Sequence, residues 1–311
     1  MKALVYTRPN EVRVLDVEEP TQGAGDAIVH VAVAGICGSE LHGIQRPGFR
    51  VPPLVMGHEV TGTTGDGRRV VVNPILSCGR CDLCLAGRTQ LCRERTMIGV
   101  HRAGGFAERV AVPESALHDL PVGMAFETAA LVEPLANAVH AWGLAGDASG
   151  ARVAIIGGGT IGLVCLLLAH DRGVASVEVA DLSEQRRALA LRLGADAAPE
   201  RLDGEYDLIF EAVGLAGTRR DSLAHLRPGG TAVWLGLTDS EAPLDGPDLV
   251  RFEKRVVGSF AYTVPEFRQA LADAGRYDLR WAESFPLDDG ADIFGQLASG
   301  RTDVVKALLR P

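Results

Sequence analysis

Aromatic residues are scarce: they make up 5% of the 311 residues, with three tryptophans and four tyrosines, so a base-stacking surface would have few rings to use. A basic excess is missing too. Lys and Arg number 31 against 40 Asp and Glu, a net charge of −9, which leaves no global basic face to draw the chain to phosphate backbones. Nucleic acid is therefore not an expected partner. The longest apolar run, Ile161 to Ala169, contains Gly162 and is too short to span a bilayer, and Met1-Lys2-Ala3-Leu4-Val5-Tyr6 continues into charged, strand-like sequence without a signal-peptide core. No membrane association is expected, and the cytoplasm is the expected compartment. Repeats and low-complexity segments are also absent.

What is present suits a folded chain: 47% hydrophobic and 23% charged residues, at about twice the usual single-domain length. Two domains are expected. Up to about residue 120 the pattern is of short strands (Ala27 to Ala34, Arg69 to Asn73, Phe106 to Val112) punctuated by Gly, Pro and Asp. That reads as a β-barrel. From Arg152 onward, strands at Val153 to Ile156, Val177 to Ala180, Leu208 to Phe210 and Ala232 to Leu235 alternate with helical spacing at Ile161 to Asp171 and Glu184 to Leu193. Alternation of this kind builds a parallel sheet covered on both faces. The stretch from Glu127 to Leu144 reads as helix leading from the first domain to the second, with a bend at Pro134.

Within the alternating part, Ile155-Ile156-Gly157-Gly158-Gly159-Thr160-Ile161-Gly162 is a strand running into G-x-G-x-x-G and then a helix. Gly157 permits the tight turn, Gly159 lets a pyrophosphate approach the backbone, and Gly162 allows close packing of helix on strand. Thr160 and Ile161 open the helix, whose N-terminus faces the phosphates. Asp181 ends the next strand, where a carboxylate accepts hydrogen bonds from an adenosine ribose diol and repels a 2′-phosphate, so NAD is expected over NADP. A plain glycine-rich turn in an ordinary α/β domain is the competing reading.

Cys78, Cys81, Cys84 and Cys92, spaced C-x2-C-x2-C-x7-C, offer four thiolates in one loop, sufficient for a closed tetrahedral zinc of the structural kind. Iron–sulfur ligation competes, but no second cysteine set accompanies it, and disulfides fit the expected compartment poorly.

Cys37 in Gly35-Ile36-Cys37-Gly38-Ser39-Glu40-Leu41-His42, His58 in Gly57-His58-Glu59, and Glu133 in Leu131-Val132-Glu133-Pro134-Leu135 complete the motif set. With these the chain resembles the zinc-containing medium-chain alcohol dehydrogenases, in the polyol, butanediol and threonine dehydrogenase branch. The resemblance implies an α/β plus β architecture: a GroES-like β-barrel catalytic domain (1–120 and 261–311) around an inserted Rossmann doubly wound parallel-sheet domain (121–260). It implies a catalytic zinc held by Cys37, His58 and Glu133, with Glu59 as an alternating ligand, beside the structural zinc. Ser39 would take the alcohol proton, His42 would carry it to solvent, and Glu40 would orient a ligand. Arg186 and Val213 would meet the cofactor, and Phe260 and Tyr262 would cover the nicotinamide and line the substrate pocket.

The reaction so implied is hydride transfer between NAD and a secondary alcohol (a diol, cyclitol or sugar alcohol, or hydroxy amino acid) to give the ketone. Two departures argue against sorbitol: Gly43 stands where sorbitol-type enzymes have an aromatic residue, and Ala261 where they have an arginine. The resemblance also implies a homo-oligomer, dimer or tetramer, paired near Arg255 to Phe260. Against the family the turn from Glu59 to Arg69 is clipped, and the stretch from Leu193 to Leu208 leaves little room for the usual helix. From those trimmed loops comes a second expectation of another class, a zinc- and NAD-binding sensor or partner subunit without turnover.

Overall fold

The computed structural model describes residues 1–45, 50–242 and 244–311. The chain forms two compact units, Met1–Glu133 with Thr263–Pro311, and Pro134–Tyr262. The first is a β unit. Its larger sheet runs in the order Leu117–Asp119, Arg69–Val72, Glu59–Thr64, Asp26–Gly35, Ala307–Arg310, Glu283–Pro286, with Arg109–Pro113 also pairing Asp26–Gly35. Alternating inward residues of these strands, including Val29, Val31, Val60, Val70, Val72, Val110 and Val112, fill one apolar core with Phe106 and Leu309. Ala34 and Gly35 pair antiparallel with Leu309 and Leu308, so the last strand of the chain lies directly beside the segment that leads into Cys37.

The clipped turn is a tight one: Thr64 and Arg68 close it with a backbone bond of 3.0 Å, and Thr61 pairs Val71 across the hairpin. Shortening here leaves Glu59 at the hairpin's other end undisturbed.

In the second unit five strands pair in parallel in the order Ser176–Ala180, Arg152–Ile156, Tyr206–Glu211, Leu226–Trp234, Arg255–Gly258. Their nearly continuous apolar runs suit a sheet covered on both faces. Strand order reverses at Arg152–Ile156, which is where open α/β sheets bind ligands outside their carboxyl ends. The trimmed stretch carries no helix between Arg192 and Tyr206; instead Asp196 to Pro199 runs along Ser176–Ala180, with Val179 N–H donating to the Ala197 carbonyl at 3.0 Å. One loop thus covers the sheet edge.

The reading at Glu127 to Leu144 needs a correction. Two helices, Phe126–Ala130 and Val132–Ala145, break at Leu131, and Pro134 lies in the first turn of the second helix, where a missing N–H costs nothing. No helix among the described residues is long and apolar enough to cross a membrane.

Candidate active site

Cys37 follows the strand Asp26–Gly35 and is the N-cap residue of the short helix Gly38–Gly43, while His58 precedes the strand Glu59–Thr64, which Glu59 opens. Because Glu59 pairs with Gly35 in the sheet, Cys37 is brought beside His58 and Glu59, some twenty residues away in sequence. Cys37, His58 and Glu59 offer donor atoms that all lie within 4.8 Å of one another. Glu133, buried in the first turn of Val132–Ala145, is not a member of that group.

Behind the group sits a fully buried carboxylate. Glu40 accepts from Cys37 N–H at 3.0 Å and Gly57 N–H at 2.9 Å, and its Oε1 meets His58 Nδ1 at 3.1 Å. His58 therefore keeps Nε2 for the group. Burial pushes the Glu40 pKa up, but the His58 charge and hydrogen bond outweigh it and leave the carboxyl below its ordinary range. Burial likewise works against a charged His58, and the charges of Glu40 and Cys37 overcome it, holding its pKa well above the usual value. The hydrogen bond fixes the two side chains against each other.

Glu59, 1% exposed, meets the ammonium of Lys306, and Lys306 also donates to the Ile36 carbonyl at 2.9 Å. Its other oxygen, Oε1, is buried with no hydrogen-bond partner among the described residues. A buried, bare carboxylate oxygen beside a thiol and an imidazole is costly unless a cation shares it. Gly35 must be glycine here, since a Cβ would overlap Glu59 Oε2. Ser39 Oγ lies 3.4 Å from Cys37 Sγ, on the half-buried side of the group, and His42, a turn on, is exposed.

Cys78, Cys81, Cys84 and Cys92 also lie within 4.8 Å of one another, on a loop braced by the short helices Asp82–Leu85 and Thr89–Leu91. No cysteine of the chain is in a disulfide. Backbone N–H groups of Arg80 and Cys81 point at Cys78 and lower its thiol pKa to about 6, the polarity a thiolate ligand needs.

In the second unit, Gly157 turns at φ 103° and its N–H donates to the Ala180 carbonyl at 2.8 Å. A Cβ on Gly162 would overlap the Gly157 carbonyl, so the helix Thr160–Ala169, opened by Thr160 and Ile161 after Gly159, packs close against the turn. Asp181 Oδ2 accepts from Gly158 N–H at 2.7 Å and Oδ1 from Ser183 N–H at 2.8 Å, with Arg186 Nη1 3.6 Å from Oδ2. The carboxylate is thus anchored on the glycine loop itself. Val213 packs where a Cβ on Gly157 would stand, and Phe260 is half-buried beside Ala261, which takes a left-handed φ of 51°.

Four residues of these surroundings escaped the sequence reading. Lys306 stands alone in the apolar run Val304-Val305-Lys306-Ala307-Leu308-Leu309, a signal that a buried partner awaits it. Glu211 closes an apolar strand in the same way: its Oε1 accepts from Val213 N–H, Gly214 N–H and Thr218 Oγ1 at 2.9, 2.6 and 2.8 Å, shaping the loop against Gly157. Buried Arg219 donates to the Gly236, Asp239 and Glu241 carbonyls and fixes the neighbouring loop. Arg50 had no signal, being one more arginine in a proline-rich loop.

The family model for the alcohol dehydrogenase GroES-like domain matches residues 23–122, and that for zinc-binding dehydrogenase matches residues 160–275. An L-threonine 3-dehydrogenase of Streptomyces coelicolor is 37% identical over 88% of this chain and 87% of its own length. An L-galactonate-5-dehydrogenase of Escherichia coli is 30% identical over 99% of this chain and 98% of its own. Among solved structures, a zinc-binding dehydrogenase of Sinorhizobium meliloti bound to NADP superposes with a TM-score of 0.92 at 32% identity, covering 100% of this chain and 99% of that one. All three are dehydrogenases, which lends no support to binding without turnover. The chain belongs to the zinc-containing medium-chain alcohol dehydrogenase superfamily.

Proposed function

We infer that the protein oxidises a secondary alcohol to a ketone, or runs the reverse, with NAD as hydride acceptor and zinc as Lewis acid. The observation that carries this is the convergence of Cys37, His58 and Glu59 within 4.8 Å, with the Ser39 hydroxyl 3.4 Å from Cys37 Sγ. A thiolate, an imidazole and a carboxylate form a catalytic zinc set that leaves a position for substrate, whereas the four-cysteine loop forms a closed, structural one. When bound, the catalytic zinc lowers the pKa of an alcohol and NAD takes the hydride from its carbon.

The chain's own residues do the rest. Cys37 and His58 would hold the metal, with Glu133 as third ligand and Glu59, paired to Lys306, as an alternate. Glu40 orients His58 and spares its Nε2 for the metal. Ser39 takes the alcohol proton, and His42, exposed on the same short helix, passes it to solvent. Gly157, Gly159, Thr160, Ile161 and Gly162 would receive the pyrophosphate, Asp181 and Arg186 would serve the adenosine ribose, and Val213 and Phe260 would serve the nicotinamide half. The first unit would serve as the catalytic domain and the second as the cofactor domain. A cytoplasmic homo-oligomer, pairing at the edge strand Arg255–Gly258, is the assembly we favour.

NADP in the S. meliloti structure is that protein's ligand; here the Asp181 carboxylate, anchored by the Gly158 and Ser183 N–H groups at the end of its strand, supports a preference for NAD. Removing it by Asp181→Ser should lower the preference for NAD over NADP by about 10-fold or more. An unchanged ratio of the two kcat/KM values removes Asp181 from this role. The activity itself is tested by following NAD reduction with diols, cyclitols, sugar alcohols, aldonates and hydroxy amino acids; no turnover on any of them by zinc-replete protein refutes the reading.

A further inference from the structure

We propose that Arg50 is a positioning residue that aims the Ser39 hydroxyl, an inference that rests on the proton-accepting role given to Ser39 above. Its guanidinium is buried at 1% exposure, although nothing in the sequence sets it apart from the surface arginines. A guanidinium stays charged in any environment, and taking it out of water is expensive, so what it touches is informative. Its charge also acts on the buried Glu40 carboxylate, and its two hydrogen bonds to Ser39 fix the fork on that residue. Nη1 donates to the Ser39 carbonyl at 2.8 Å, and Nη2 reaches the Ser39 Oγ at 3.4 Å.

A serine hydroxyl left to itself rotates to suit its neighbours. Here the oxygen receives Arg50 on one side, which turns its own O–H toward Cys37 Sγ at 3.4 Å. The oxygen is therefore held beside Cys37, the residue read here as a ligand of the catalytic metal. Arg50 itself gives and takes no proton.

Gly43 makes this possible. It lies one helical turn after Ser39 on the same face, and a Cβ there would overlap Arg50 Nη1. The departure from the sorbitol-type pattern at this position thus has a physical cause: the space holds a guanidinium. A side chain at 43 would force the guanidinium to shift from its place on Ser39.

The test is a double-mutant cycle of Arg50→Met and Ser39→Ala, with Gly43→Ala as an independent way to displace the guanidinium, read on NAD-dependent oxidation of a secondary alcohol. Arg50→Met should lower kcat about 30-fold with little change in KM, the scale expected when a reacting group is misplaced by about an ångström. On the Ser39→Ala background the same change should cost less than about 3-fold, because two residues acting through one atom are not additive. Gly43→Ala should reproduce the Arg50→Met loss, and Arg50→Lys should recover part of it. Zinc content and the visible spectrum of cobalt-substituted protein should match the wild type throughout, since Arg50 holds no metal donor.

Equal losses on both backgrounds, or loss of metal, would overturn the assignment in favour of a purely structural arginine. Should wild-type protein oxidise no secondary alcohol, the functional reading fails separately, and crystal structures of wild type and Arg50→Met decide the positioning claim. A rotated Ser39 side chain in the variant supports it, and an unmoved one refutes it.

Discussion

The loop at Cys78–Cys92 and the group Cys37, His58, Glu59 hold their donors equally close, yet they are built in opposite ways. In the loop all four donors come from one short segment and are alike, and the flanking charges, such as Arg93 with Asp82 and Arg80 with Glu94, lie at the exposed surface. In the other group the donors are mixed and come from segments that only sheet pairing brings together. Its outer layer, Glu40 and Lys306, is dry. The contrast teaches how function divides: a closed set of like thiolates secures the chain, whereas a mixed set backed by buried charges leaves a reactive position.

The contrast can be broken at four points. Cys37→Ala should reduce alcohol turnover by about three orders of magnitude or more, the contribution of a Lewis-acid centre, with the melting midpoint little moved. Substantial turnover at unchanged zinc content would place the chemistry elsewhere. Cys78→Ser should do the reverse: one zinc lost, and a stability loss of several kcal/mol, about the range of structural metal sites, measured by chemical denaturation. An unaltered denaturation midpoint would deny the loop its structural role. Glu40→Gln should weaken zinc binding at the buried group by about 10- to 100-fold in competition with a chelator, the usual effect of removing a carboxylate that orients a histidine ligand. Arg93→Ala, which removes an exposed pair beside the cysteine loop, should leave both zinc affinity and the melting midpoint unchanged, because solvent screens such pairs. If Arg93→Ala costs as much as Glu40→Gln, the two outer layers do not differ as argued.

Legibility in the sequence followed the same division. Local features were readable: the cysteine spacing, the glycine turn with Asp181, and the alternation of strand and helix. The helix break was misplaced at Pro134 rather than Leu131 because a proline in a first turn looks, in sequence, like one in a helix interior. The mixed group was named through family resemblance, since nothing in the spacing of Cys37 and His58 states that Gly35 pairs Glu59. Of its charged support only Glu40 was named, through the same resemblance; Lys306 and Arg50 were missed, as was Glu211 at the glycine loop. Lys306, Arg50 and Glu211 are each a single charged residue whose partner is set by tertiary contact, and burial is what distinguishes them from the solvated majority.

The most direct test of the central claim is a zinc titration of metal-free protein, following bound metal and NAD-dependent alcohol oxidation together in the wild type and in Cys37→Ala. The account predicts two zinc ions per chain in the wild type, with turnover rising only as the Cys37 group fills, and one zinc ion without turnover in the variant. Full turnover at one zinc ion per chain, or alcohol oxidation that survives complete metal removal, would contradict it.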